Sequence, residues 1–177
     1  MIELHTSSPD ISLVSPSIDR DAPIAVSWLA GEAGRNTLRL MGNNDEHNKP
    51  STIKEEQARI QGFIESNDQL TWMIQLQDKI VGTVWVNTLD SDHIPGPAVH
   101  IMIGDSDARG RGVGKITISS IIDYLKSIGN YEYLYSRHLV ANGPASRLLD
   151  DMGFVNMGPS YEDENSLLWQ NVKVALL

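Results

Sequence analysis

Arg109-Gly110-Arg111-Gly112-Val113-Gly114-Lys115 places three glycines at alternate positions and three basic side chains within seven residues. An apolar segment over 98–103 precedes it. A long segment follows in which Ile116, Ile118, Ile121, Ile122, Leu125 and Ile128 keep close to helical spacing. The stretch is therefore a strand-to-helix turn. Glycines there let backbone approach a ligand with no Cβ in the way. Successive N–H groups of such a turn point inward, and the helix N-terminus behind them carries partial positive charge. That combination is a receptor for a pyrophosphate, with Arg109, Arg111 and Lys115 adding charge outside it. The alternative is a tight turn in which the glycines serve geometry alone. A P-loop is excluded, because the position its first glycine would need is Arg109 and Ile116 stands where Ser or Thr is required. The spacing G-x-G-x-G also differs from the dinucleotide fingerprint G-x-G-x-x-G.

Segments on either side extend the pattern. Upstream, Ile94-Pro95-Gly96-Pro97 is a connection, since two prolines cannot continue a ladder. Segments 70–76 and 80–86 read as an antiparallel hairpin about Gln77-Asp78-Lys79. Downstream, Gly129-Asn130 stops the helix. An aromatic-rich strand over 131–139 follows, then a short helix over 145–152 ended by Gly153. Phe154 starts a terminal hairpin with its turn at Glu162-Asp163-Glu164-Asn165. Near the N-terminus, 11–14 is a first strand closed by Pro16. Asp19 or Asp21 is a candidate cap for a first helix with Pro23 near its start. Segment 31–50 is polar and reads as a loop with at most a short helix. Ser51 to Glu55 resembles a capping box opening a second helix, with Ile53, Ala58, Ile60, Phe63 and Ile64 on its apolar side. The order β-α-α-β-β-β-α-β-α-β-β predicts a single mixed α/β domain over 1–177. Its centre is a mostly antiparallel twisted sheet of about seven strands, flanked by about four helices.

Composition narrows the function classes. The 177 residues are one domain's worth, with 41 % hydrophobic and 21 % charged residues, as in an ordinary globular protein. Absence of cysteine excludes disulfides, thiolate zinc sites and cysteine nucleophiles. His5, His47 and His93 show no metal-ligand spacing, so no metal is expected. A net charge of −9 should repel nucleic acid and anionic membranes, and neither is an expected partner. No apolar run approaches the ~20 residues of a membrane helix. The N-terminus lacks a secretory pattern, and a cytoplasmic location is expected.

Arg109-x-x-Gly112-x-Gly114 resembles the coenzyme A signature of the GNAT superfamily, Arg/Gln-x-x-Gly-x-Gly/Ala. A later block, Asn142 followed by Leu148-Leu149-Asp150-Asp151-Met152-Gly153-Phe154, resembles the same family's asparagine, short helix and Gly-Phe. The segment 136–149 is most similar to the RimJ/RimL-like branch, with His138 four residues before Asn142. The resemblance implies an acetyl-CoA-dependent N-acetyltransferase. Its acceptor would be a primary amine, either a peptide N-terminus or a small cationic amine, that attacks the thioester directly. There are departures. The branch's serine falls three residues after the asparagine, where this chain has Ala145 and then Ser146. Many members place a tyrosine acid seven residues after the asparagine, and here that residue is Leu149.

Thioester aminolysis needs a neutral amine, a polarised carbonyl and a stabilised thiolate. An alkylammonium has a pKa near ~10, so its proton must go before attack. The resemblance implies that backbone groups of Met102, Ile103 and Gly104 pair with the pantetheine arm as an added strand, and that one N–H polarises the carbonyl. It implies that Gly110, Gly112, Val113 and Gly114, with Arg109, Arg111 and Lys115, hold the pyrophosphate. Asn142 is a candidate for the arm or a bridging water, or else a helix N-cap. Ser146 is a candidate donor to the thiolate, or else an ordinary helix hydroxyl. His138 is a candidate base, or else a structural strand histidine. His100 faces either the same cleft or solvent.

In this superfamily the acceptor lies between the loop after the first helix and the terminal hairpin. Glu32, Asp45, Glu46, Glu162, Asp163 and Glu164 stand there, as a solvated rim or as attraction for a cationic amine. A coenzyme A-binding regulatory or scaffold module without catalysis is the alternative function. Oligomeric state stays open, a homodimer included.

Overall fold

A computed structural model of the chain describes residues 3–43 and 49–177. Among these the order is β1 (Leu4–His5), β2 (Ile11–Val14), α1 (Ile18–Trp28), α2 (Gly31–Leu40), α3 (Ile53–Glu65), β3 (Gln69–Leu76), β4 (Lys79–Asn87), β5 (Ala98–Ile103), α4 (Val113–Ile128), β6 (Tyr133–Leu139), α5 (Gly143–Asp151), β7 (Val155–Asn156), β8 (Tyr161–Glu162) and β9 (Leu168–Ala175). A short 3-10 turn, Ser106–Ala108, precedes α4. The mixed, mostly antiparallel sheet expected from the sequence is present, with nine strands among the described residues in place of about seven. The surplus is β1, plus division of the terminal hairpin's first arm into β7 and β8. Both pieces pair with β9, and Gly158 between them has a φ of +120°.

Local signals explain most helix boundaries. Thr52 caps α3 in a reciprocal capping box with Glu55. Ile60 is buried there, but Ile53 and Ile64 are exposed, so the apolar side is narrower than expected. For α1 the cap position is Ser17 rather than Asp19 or Asp21. Asp21 serves the same end from inside: its Oδ2 accepts from the Ser17 N–H at 2.7 Å, and Arg20 Nε lies 2.5 Å from Oδ1. Pro23 lies in the second turn, within the helix rather than at its start. Segment 31–50 differs most from expectation, because 31–40 is a regular helix. Only Gly34, Thr37 and Leu38 of its residues are buried, so its inward side carries a single large apolar side chain. Gly31 has a φ of +66°, and a Cβ at Gly34 would collide with the Leu29 backbone. Gly31 and Gly34 thus permit a sharp α1–α2 junction.

The strand order is β1-β2-β3-β4-β5-β6-β9-β7, with β8 on β9. The contacts β1 through β5 are antiparallel, as is β6 with β9. Among the described residues only β5 and β6 run parallel, joined by the α4 crossover, and they share one registered pair, Ala98↔Tyr135. One face of the sheet carries α4 and α5, where Val99, Ile118, Ile121, Leu125, Leu134, Leu149 and Phe154 form the main core. Each such buried side chain stabilises the fold by roughly 1.5–3 kcal/mol relative to exposure. The other face packs Val14, Met73 and Met102 against Ala25, Trp28 and Leu29 of α1 and its end, and Leu38 of α2.

Candidate functional site

Pairing between β5 and β6 ends almost as soon as it begins. The Tyr135 N–H donates to the Pro97 carbonyl at 2.9 Å, and Ser136 Oγ donates to the Val99 carbonyl at 2.8 Å. Beyond these ties the strands separate and leave the second half of β5 with an open edge. Backbone groups alternate sides along a strand. The carbonyls of residues 97 and 99 point toward β6, so the backbone groups of Ile101 and Ile103 face the gap. Met102 faces the other way, since a Cβ at Gly82 of β4 would collide with its carbonyl. Of the expected trio, Ile103 thus presents its backbone to the gap, Met102 is turned into the sheet, and Gly104 is buried with the Trp28 ring where its Cβ would be. Ile101, which the sequence reading did not single out, joins Ile103. Strand parity alone could have found it.

Arg109 organises the end of β5. Its Nε donates to the Ile103 carbonyl at 2.9 Å, and its Nη2 lies 3.2 Å from Thr37 Oγ1 and 3.4 Å from the Gly104 carbonyl. The guanidinium therefore folds back onto β5 and α2. Asp105, at the base of the turn, is held below the usual carboxylate range first by its hydrogen bond from Lys79, whose Nζ lies 2.5 Å away. Gly110 and Gly112 have φ of +70° and +80°, and a Cβ at either would meet open space. Gly112 is also the N-cap of α4. The Ile116 N–H bonds the Gly112 carbonyl at 3.1 Å, so the N–H groups of Val113, Gly114 and Lys115 come before the first intrahelical acceptor. No acidic side chain occupies that first turn. Gly114 differs from its neighbours, because a Cβ there would stand 3.1 Å from Leu148 of α5. Its smallness serves helix packing. Lys115 pairs with Asp151 at 2.8 Å on the surface, and Arg111 is exposed.

The second block sits beside the gap. Asn142 is the N-cap of α5: its Oδ1 accepts from the Ala145 N–H at 3.2 Å, and its Nδ2 donates to the Leu40 carbonyl of α2 at 3.1 Å. Ser146 is half-buried in the first turn of α5, and its hydroxyl makes no hydrogen bond among the described residues. His138 is buried, with Nδ1 2.9 Å from the Leu139 carbonyl. That bond requires the proton on Nδ1, so a neutral ring keeps its lone pair on Nε2. Leu149 lies in the core, and Phe154 packs beside it after Gly153 closes α5 at a φ of +82°.

The face of β5 and β6 away from α4 carries groups the sequence reading left unassigned. His100 stacks on Trp85 with ring centroids 5.3 Å apart, and its Nε2 lies 3.4 Å from Asn87 Nδ2. Burial, then the nearby Arg137 charge, pushes its pKa down to about 4. Arg137 is half-buried with its guanidinium 4.2 Å from the Trp169 ring centroid, and its Nη1 donates to Tyr161 Oη at 3.3 Å. The period-two run Tyr133, Tyr135, Arg137 was the available signal for this face. Glu32, Glu162 and Glu164 are exposed. Asp163 instead accepts from the N–H groups of Asn165 and Leu167 and from Trp169 Nε1, each at 2.9 Å, which ties the hairpin turn together. Asp45, Glu46 and His47 lie outside the described residues. Among those described, no group of three His, Asp or Glu side chains could hold a metal, and no helix is long and apolar enough to cross a membrane.

Three comparisons bear on this geometry. The Acetyltransferase (GNAT) family profile matches residues 40–154. An uncharacterized protein of Methanocaldococcus jannaschii is 27 % identical over 106 residues, covering 58 % of this chain and 21 % of that protein, so the match spans about a fifth of the relative's length. Among solved structures, RimJ of Mycobacterium smegmatis in complex with CoA-disulfide superposes with a TM-score of 0.77 at 14 % identity, covering 98 % of this chain and 86 % of the other. Spermidine N-acetyltransferase of Vibrio cholerae, in complex with CoA and spermine, gives a TM-score of 0.74 at 18 % identity, covering 96 % and 97 %.

Proposed function

Because the chain belongs to the acetyltransferase (GNAT) family, we propose that it transfers an acetyl group from acetyl-CoA to a primary amine, a peptide N-terminus or a small cationic amine. GNAT enzymes use acetyl-CoA as co-substrate. The observation that carries the reading is the continuity between the open edge of β5 and the turn that begins α4. The edge offers the Ile101 backbone groups and the Ile103 N–H, the Ile103 carbonyl being held by Arg109, and the turn offers three uncommitted N–H groups behind glycines that leave room for an anion. The residues present fit the co-substrate: an extended amide-bearing arm suits a strand edge, and a pyrophosphate suits a helix N-terminus without acidic neighbours.

Acetyl-CoA brings an acyl thioester to the gap. The Ile103 N–H, on the open edge, is placed to polarise a carbonyl there. Ser146, with an unspent hydroxyl, is assigned as hydrogen-bond donor to the departing sulfur, the function a tyrosine serves in many relatives. His138 is buried on the α4–α5 side of β6, opposite the acceptor, so its assigned role as base is at one remove, with the amine's proton reaching it through a water in the gap. Asn142 acts on the site by holding the start of α5 against α2. The acceptor approaches from the His100 and Arg137 face, because α4 and α5 fill the opposite one. The protein works in the cytoplasm on this reading, and a homodimer is compatible with it.

Release of free thiol from acetyl-CoA across a panel of amines tests the reading. Thiol release that depends on one amine class supports it. Coenzyme A binding without turnover for any amine would make the chain a binding module instead. If Ser146 serves the sulfur, Ser146→Ala lowers kcat with little change in the KM for acetyl-CoA. An unchanged kcat would return Ser146 to a structural role.

A further inference from the structure

We propose that Arg137 receives an anionic group of the acceptor, a carboxylate or a phosphate, so that the acceptor carries such a group near its amine. The proposal rests on the acyl-transfer reading above and narrows its acceptor to a primary amine that also bears an anion, in place of a purely cationic amine.

Position comes first. Ser136 makes the last tie between β6 and β5, and Arg137 is the next residue, at the point where the gap opens. The registered pair Ala98↔Tyr135 puts Tyr135 and Arg137 on the same face as His100 and Met102. That face is the one from which a thioester in the gap remains approachable.

Chemistry comes second. A guanidinium carries several N–H donors and matches carboxylate and phosphate oxygens in pairs. Other arginines, more exposed or as exposed, already have strong acceptors: Arg20 has Asp21, Arg59 has Glu56, and Arg109 has two backbone carbonyls. Arg137 has one hydrogen bond, to a tyrosine hydroxyl, and no carboxylate within ion-pair distance among the described residues. Asp163, held low first by the Leu167 N–H and least by the Arg137 charge, is near enough to feel the guanidinium, but its oxygens are committed to Trp169 Nε1 and two backbone N–H groups and none lies within ion-pair distance of Arg137. Stacking on Trp169 fixes the guanidinium plane before any ligand arrives, which lowers the ordering cost of binding. Lys173, registered against Tyr135, repeats the pattern with its Nζ 4.0 Å from the Tyr133 ring centroid. In a chain of net charge −9, two cations lie over aromatic rings on one sheet face with no carboxylate paired to either among the described residues. The depressed pKa of His100 is consistent with a positive potential there. A nearby cation also disfavours the ammonium form of an incoming amine, which leaves more of it nucleophilic.

Matched probes test this: O-phosphoethanolamine against ethanolamine for phosphate, and β-alanine against β-alaninamide for carboxylate. Binding to the whole protein is followed by ligand-observed NMR, with and without saturating coenzyme A, which separates the Arg137 face from the pyrophosphate turn. The expected result is that the member carrying the phosphate or carboxylate in at least one pair binds about tenfold or more tightly than the partner that lacks it. Arg137→Gln should erase that preference, Arg137→Lys should keep part of it, and Lys126→Gln, an equal charge change at the far end of α4, should leave it intact. Equal binding of both members in both pairs would overturn the proposal. So would a preference that survives Arg137→Gln in a variant with wild-type melting. Failure of the acyl-transfer reading shows separately, as absence of coenzyme A binding, while the anion preference is still read without it.

Discussion

At Gly104 the Trp28 ring occupies the space a side chain would need. Gly104→Ala should therefore displace either the ring or the end of β5, at a cost of about 1–3 kcal/mol typical of overpacking. Urea unfolding measures the loss, and an unchanged midpoint would mean the contact gives way freely. His100 supplies a pH dependence. Its folded-state pKa of about 4 lies below the ordinary 6.5, so the folded protein prefers the neutral ring. The unfolded chain then binds more protons in that interval, and the stability His100 contributes is fully present above about pH 6.5 and lost as pH falls toward 4. Wild type should lose up to about 3 kcal/mol more than His100→Gln across that window. Parallel stability curves for the two proteins would show that Trp85 and Arg137 do not hold the ring neutral.

Helix α5 reports on two others at once, because Asn142 caps it and also bonds the end of α2. Asn142→Ala should cost about 0.5–2 kcal/mol from the lost cap. It should also speed hydrogen exchange at the C-terminal end of α2. Exchange confined to α5 would mean that the Leu40 bond carries no weight. Sequence reading reached the elements whose period or punctuation is strong. The isoleucine stripe of α4, the Thr52–Glu55 box and the β3–β4 hairpin are examples. It did not reach α2, whose burial rests on three residues and whose glycines resemble loop glycines. Asp21 likewise belongs to the first helix's N-terminus by a side-chain bond from within, which no local spacing rule anticipates.

Across the whole molecule, the parallel pair β5–β6 was legible because a strand, a helix and a strand in succession demand it. Where that pairing stops was not, since the one registered pair, Ala98↔Tyr135, is set by contacts between residues distant in sequence. The same holds for the candidate site. Gly110 and Gly112 were readable from their spacing, and the structure leaves both open. Gly114 and Arg109 stand in the same motif, yet they serve α5 packing and the β5 carbonyls, partners distant in sequence. Arg137 escaped notice because a strand arginine is ordinary until its partners are known. The central claim is that the open edge of β5 and the turn before α4 together hold acetyl-CoA. Calorimetric titration of acetyl-CoA into wild type and Gly112→Glu tests it most directly, with circular dichroism confirming that the variant is folded. Wild type should bind, and a carboxylate at the N-cap of α4 should weaken binding about a hundredfold or more, by filling the anion's place and opposing its charge. No binding by wild type at millimolar acetyl-CoA, or equal binding by a folded Gly112→Glu, would contradict the account.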